Sequence, residues 1–174
     1  YADAFNADRP DLIKAAMAKG IGRFYLPNID AESIGPMLEL EAAYPGVCIP
    51  MMGLHPCHVQ QDWQAALKRV EEELMRRKWV AIGEIGIDLY WDKTYFAEQQ
   101  QAFLQQVAWA NERQLPVVIH SRESFAEIIE LLDRQPKASP QGIFHCFTGT
   151  IEQARQAIDR GFYLGIGGVV TFKK

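Results

Sequence analysis

Three residues able to hold a divalent ion stand where apolar runs end. Trp79-Val80-Ala81-Ile82 leads to Gly83-Glu84, Pro116-Val117-Val118-Ile119 leads to His120, and Gly142-Ile143-Phe144 leads to His145. A fourth, His55, follows the apolar run 47–54. Imidazole and carboxylate together suit Zn²⁺, Mn²⁺ or Fe²⁺, whereas an all-oxygen set suits Mg²⁺. A single histidine at a strand end more often serves a structural hydrogen bond. One carboxylate and two imidazoles at the tips of separate strands point instead to a shared ion. Glu84, His120 and His145 are therefore read as one metal site, with Glu84 its catalytic carboxylate.

That convergence needs parallel strands with helices between them, and the chain supplies the pattern. Asp8-Arg9-Pro10 opens a helix with Leu12, Ile13, Ala16 and Met17 on its apolar face, and Gly20 ends it. Strands are expected over 21–29, 47–54, 79–87, 117–120, 143–147 and 162–170. Helices are expected over 31–44, interrupted at Gly35-Pro36, then 63–78, 94–114 with Thr94 as a cap, 124–132 and 150–160. The charge run Glu71-Glu72-Glu73 reads as a solvated helix face, and 136–140 as a turn-rich connector.

Strand and helix alternate without a break, at the spacing of βαβ units. The strands are apolar throughout, as strands covered on both faces must be. The fold class is α/β, a TIM-like (β/α)₈ barrel, with residues 1–174 forming a single barrel domain. Six strands are two short of the eight such a barrel needs.

Composition narrows the classes further. The 48% hydrophobic and 23% charged fractions are those of an ordinary folded domain, which disfavours disorder. No run approaches the roughly 20 apolar residues that span a bilayer, so no membrane partner is expected. Cys48, Cys57 and Cys146 show no CxxC spacing and suit free thiols in a cytoplasmic protein. The net charge of −4 speaks mildly against nucleic acid. Two divalent ions would offset that with about four positive charges where a phosphate docks.

Five motifs resemble, in order and spacing, those of the TatD family of metal-dependent deoxyribonucleases. They are Gly53-Leu54-His55-Pro56, Gly83-Glu84-Ile85-Gly86-Ile87-Asp88, Val118-Ile119-His120-Ser121-Arg122, Phe144-His145-Cys146-Phe147-Thr148-Gly149 and Leu164-Gly165-Ile166-Gly167-Gly168. The resemblance spans essentially the whole chain. It implies an amidohydrolase-like barrel holding two divalent metal ions (Mg, Mn or Zn). It implies hydrolysis of DNA phosphodiester bonds by a two-metal mechanism, at ends or in single strands. By the same resemblance Glu84 bridges both ions, and His120 and His145 bind the second.

The family holds its first ion with a His-x-His on strand one and an Asp on strand eight, the latter also its general base. Neither motif occurs in these 174 residues. The chain is accordingly read as a portion of a longer protein, incomplete at both ends, with the first and eighth strands absent. Open apolar sheet edges are otherwise avoided by native proteins.

Other residues carry two readings each. Arg122 grips a phosphate or pairs with Glu123. His55 contacts substrate or makes a structural bond before Pro56. Tyr90 and Trp91 stack a base or cover the barrel mouth. Asp88 orients a metal ligand or caps local backbone. Lys173 and Lys174 reach a nucleic-acid backbone or stay solvated. Cys146 is set aside as a ligand because neighbours on a strand face opposite ways. The alternative activity is hydrolysis of an amide or ester bond in a small molecule or aminoacyl-tRNA. A catalytically inert scaffold is the third reading.

Overall fold

The computed structural model describes residues 1–135 and 141–173. Among the described residues six parallel strands alternate with six helices. In chain order they are α1 (Arg9–Ala18), β1 (Phe24–Pro27), α2 (Ile34–Ala43), β2 (Cys48–Met51), α3 (Trp63–Arg76) and β3 (Ile82–Asp88). Then follow α4 (Phe96–Arg113), β4 (Val117–Arg122), α5 (Phe125–Asp133), β5 (Gly142–Phe144), α6 (Ile151–Asp159) and β6 (Tyr163–Leu164). The expected connector 136–140 and Lys174 lie outside the described residues.

β1 pairs with β2, and β3-β4-β5-β6 form a second parallel run in chain order. Among the described residues a single bridge, Met52 to Ile82, joins the two. Consecutive parallel strands linked by helices give the α/β architecture of a partial barrel. The core lies between strands and helices: Ile82, Ile85, Ile87, Val117, Ile119 and Phe144 meet Phe103, Val107 and Ile128 from α4 and α5. No helix among the described residues is long and apolar enough to cross a membrane.

Local departures from the sequence reading have physical causes. Gly35-Pro36 does not interrupt α2; it forms the first turn, where proline's missing N–H has no helical partner to lose. Thr94 caps nothing: its N–H donates to Asp92 Oδ1, and α4 begins after Tyr95. Within the charge run of α3, Glu73 is buried, held by Arg69 and Arg76. Of the expected apolar face of α1 only Ile13 is buried, while Leu12 and Met17 are exposed.

β3 starts at Ile82 rather than Trp79, whose indole N–H instead donates to Glu73 O at the end of α3. β6 is two residues long, and a 3₁₀ turn at Gly168–Thr171 replaces the expected continuation. Gly167 passes Cys146 so closely that a Cβ there would meet Cys146 Sγ at 2.5 Å.

Candidate metal centre

Glu84 sits inside β3, not at its tip. Gly83 pairs with Val118 and Ile85 with Ile119, so Glu84 is left out of the register as a bulge. The peptide before it is cis. Its N–H donates to Asn28 O of the first strand region at 3.2 Å, and the residue is 8% exposed. Two residues on, Gly86 has φ +149°, and a Cβ there would lie 2.0 Å from His120 O. Only glycine lets β3 and β4 approach closely enough to bring Glu84 beside His120.

His120 is the junction of the site. Its Nδ1 lies 3.2 Å from Glu84 Oε1 and 3.1 Å from His55 Nε2. Its Nε2 lies 2.8 Å from Asp88 Oδ2. An ionised carboxylate only accepts, so Asp88 fixes the proton of His120 on Nε2 and leaves the Nδ1 lone pair facing Glu84. Two lone-pair atoms at that separation repel unless a proton, on Nδ1 or offered by a neighbour, or a metal ion lies between them. His55, Glu84 and His120 each offer one atom within 4.8 Å of the others, the grouping a metal ion needs.

His55 leaves β2 through Leu54 and caps a 3₁₀ turn at Pro56–His58. Its Nδ1 accepts the Cys57 N–H at 3.2 Å. In the neutral ring the proton then sits on Nε2, so His55 in this arrangement donates toward His120 Nδ1.

The charges follow the geometry. Burial, with the neighbouring His120, pushes the His55 pKa down to about 4. Burial opposes ionisation of Glu84, but the His120 contact and the nearby His145 and His55 outweigh it and lower its pKa. Burial likewise opposes charge on His120, yet Glu84 and Asp88 together raise its pKa. Asp88 is lowered against its burial by the Trp91 N–H, His120 and the Tyr90 N–H. Partial desolvation and the neighbouring Asp88 carboxylate push the thiol of Cys57, an exposed residue, up to about 12.

The structure thus brings Glu84, His120 and His55 together. His145 lies in the turn after β5, its N–H bonded to Ile119 O and its side chain exposed. It stands outside the three-residue group and acts on Glu84 through charge. Cys146 is an exposed turn residue with φ +44°, so strand alternation is not what keeps it from the site. Arg122 makes no ion pair with Glu123 among the described residues. Its guanidinium lies 3.7 Å from the Tyr90 ring centre and 5.1 Å from that of Trp91. Tyr90 and Trp91 meet edge to face at 4.8 Å, and Trp91 is 69% exposed. Asp88 caps local backbone, its Oδ1 accepting the Tyr90 and Trp91 N–H groups, while its Oδ2 lies against His120 Nε2.

Two residues with no earlier role support the site from α4. Gln99 Oε1 accepts the Asp88 N–H at 2.9 Å. Gln106 Oε1 accepts the Leu54 N–H at 2.7 Å, and its Nε2 donates back to Leu54 O at 3.2 Å. Their signal in the sequence is polarity on an apolar stripe, flanking Phe103 at helical spacing.

Parallel strands whose C-terminal halves gather imidazoles and carboxylates define an α/β barrel protein with a candidate metal centre. The model of the family described as TatD related DNase matches residues 1–174, and the chain belongs to the TatD family. It is 33% identical over 172 residues to the "Uncharacterized metal-dependent hydrolase YabD" of Bacillus subtilis, covering 99% of this chain and 67% of that one. It is 35% identical over 167 residues to the "3'-5' ssDNA/RNA exonuclease TatD" of Citrobacter koseri, covering 95% of this chain and 64% of the relative. The crystal structure of the TatD homologue YjjV from Escherichia coli superposes with a TM-score of 0.86 at 30% identity, over 98% of this chain and 66% of that one. The chain therefore spans about two thirds of the length of these relatives.

Proposed function

We propose that the full-length protein is a metal-dependent hydrolase of DNA phosphodiester bonds, acting on single strands or ends. The observation that carries the reading is the Glu84–His120 contact, two lone-pair atoms 3.2 Å apart with Asp88 fixing the imidazole proton on the far side. Membership of a family with a relative named for ssDNA/RNA exonuclease activity supports the substrate class.

In this reading Glu84, His120 and His145 hold divalent metal, two ions in all (Mg, Mn or Zn). When bound, such ions make a water nucleophilic near neutral pH and offset charge on the scissile phosphate. Glu84, whose pKa its imidazole neighbours lower, would be the carboxylate that holds the ions. Asp88 keeps His120 in the tautomer that turns Nδ1 toward the site. His55, neutral and carrying its proton on Nε2, donates to a phosphate oxygen. Arg122 forks onto the phosphodiester backbone, and Tyr90 with Trp91 offers a ring face to an unpaired base. The three free cysteines fit a cytoplasmic setting for this chemistry.

The test is loss of DNA by purified full-length protein. EDTA and Glu84→Ala are each expected to abolish it, and retained activity under either condition overturns the reading. Parallel assays on amide, ester and aminoacyl-tRNA substrates show whether the same centre serves the alternative hydrolysis instead.

A further inference from the structure

Gln99 and Gln106 lie two helical turns apart on α4, about 10 Å along its axis, and both point into the protein. They are 3% and 1% exposed. A buried amide costs free energy unless its polar atoms are bonded, and a leucine would fill the same space without that cost. Neither amide is spent on a neighbouring helix. Gln106 closes a two-bond ring on Leu54, the residue before His55. Gln99 takes the N–H of Asp88, whose carboxylate holds His120. Leu54 follows the two-stranded sheet and Asp88 ends a strand of the four-stranded one. The only strand pairing between those sheets, among the described residues, is Met52 with Ile82.

We infer that Gln99 and Gln106 are positioning residues: α4 is a ruler whose two amides fix the His55 segment against the Asp88–His120 pair. The 3.1 Å approach of His55 Nε2 to His120 Nδ1 is set by this span across the join. The inference rests on the proposed hydrolase reading for its kinetic consequence, and on hydrogen bonding alone for its geometric one.

The experiment uses full-length, metal-free protein with ¹⁵N-labelled histidine, and compares Gln106→Leu, Gln99→Leu and the exposed Gln105→Leu. Gln106→Leu is expected to shift the His55 ring resonances, Gln99→Leu those of His120, and Gln105→Leu neither. On a phosphodiester substrate the first two lower kcat about tenfold or more with KM within about twofold, because small misplacements cost rate more than affinity. Gln106→Glu provides the rescue. Once its buried carboxyl is protonated it accepts from the Leu54 N–H and donates to the Leu54 carbonyl, so as pH falls the His55 resonances rejoin those of wild type measured at the same pH.

If Gln106→Leu and Gln99→Leu lower Tm but leave the ring resonances and kcat at wild-type values, the amides are packing residues and the inference is overturned. If Gln106→Leu does not fold, the Gln106→Glu titration decides, read against wild type at each pH: His55 resonances displaced at high pH that rejoin those of wild type at low pH support the ruler, and resonances that follow wild type at every pH, or stay displaced at every pH, overturn it. Wild-type protein that hydrolyses no phosphodiester, while the resonances move as expected, removes the hydrolase reading and leaves the ruler standing.

Discussion

Asp88 Oδ2 lies 2.8 Å from His120 Nε2, while the other oxygen of the same carboxylate holds the main-chain N–H groups of Tyr90 and Trp91. One buried side chain therefore sets the tautomer of the central imidazole and the path of the aromatic loop beside it. Orientation of His120 and presentation of Trp91 are not independent properties of this fold.

Asp88→Asn separates these duties. A carboxamide has one accepting atom, so it can serve either His120 or the loop N–H groups, and its NH₂ must then face other donors. If His120 binds metal as proposed, hydrolysis of single-stranded DNA by the full-length variant is expected to fall about 10–100-fold, the loss usual for a partner of a metal-binding histidine. Steady-state kinetics with thermal unfolding as a control for folding checks it.

The pH dependence of stability in metal-free protein carries two opposite signs. Folding pushes His55 from 6.5 down to about 4, so its contribution is full above pH 6.5 and is lost as pH falls toward 4. His120 is raised above 6.5, so its contribution is full below that pH and is lost as pH rises through the folded value. Urea midpoints in EDTA should therefore decline on acidification from pH 6.5 to 4, and His55→Asn should flatten that limb.

Trp91→Ala removes the ring of a residue that is 69% exposed and leaves in place the main-chain N–H that donates to Asp88 Oδ1. Stacking of a base is worth about 1–3 kcal/mol. KM for single-stranded DNA is expected to rise about tenfold at that scale, with a smaller change for blunt duplex. A comparison of the two substrates across wild type and variant measures it.

Gly86→Ala should prevent folding. The residue has φ +149°, and a Cβ would meet His120 O at 2.0 Å, a main-chain atom that β4 cannot withdraw. The expected loss exceeds about 4 kcal/mol, the range of severe backbone substitutions, and shows as insoluble expression or a non-cooperative melt.

The order of strands and helices was readable because parallel strands buried on both faces are written as apolar runs separated by amphipathic segments. Their limits were not. β6 stops at Leu164 because Gly165 and Gly167 run against Phe144 and Cys146, contacts between residues about twenty apart in sequence. Glu84 and His120 could be picked out by type and place. The bulge that turns Glu84 out of register could not, since it exists only in the pairing with β4.

Histidines 120 and 145 look alike as letters after apolar runs, yet one lies within a six-residue strand and the other in a turn after a three-residue one. Strand length is decided by the neighbours across the sheet. Gln99 and Gln106 were silent for the same reason: a polar residue on a buried stripe reads as an irregularity until its partner, 11 or 52 residues away, is known.

His55 comes from one side of the Met52–Ile82 bridge, and Glu84 and His120 from the other. Heating that parts the sheets by a fraction of an ångström along this join would disperse the reactive groups while leaving every helix wound. Thermal inactivation should then run ahead of melting, with turnover fading several degrees below the loss of far-ultraviolet ellipticity and returning on cooling.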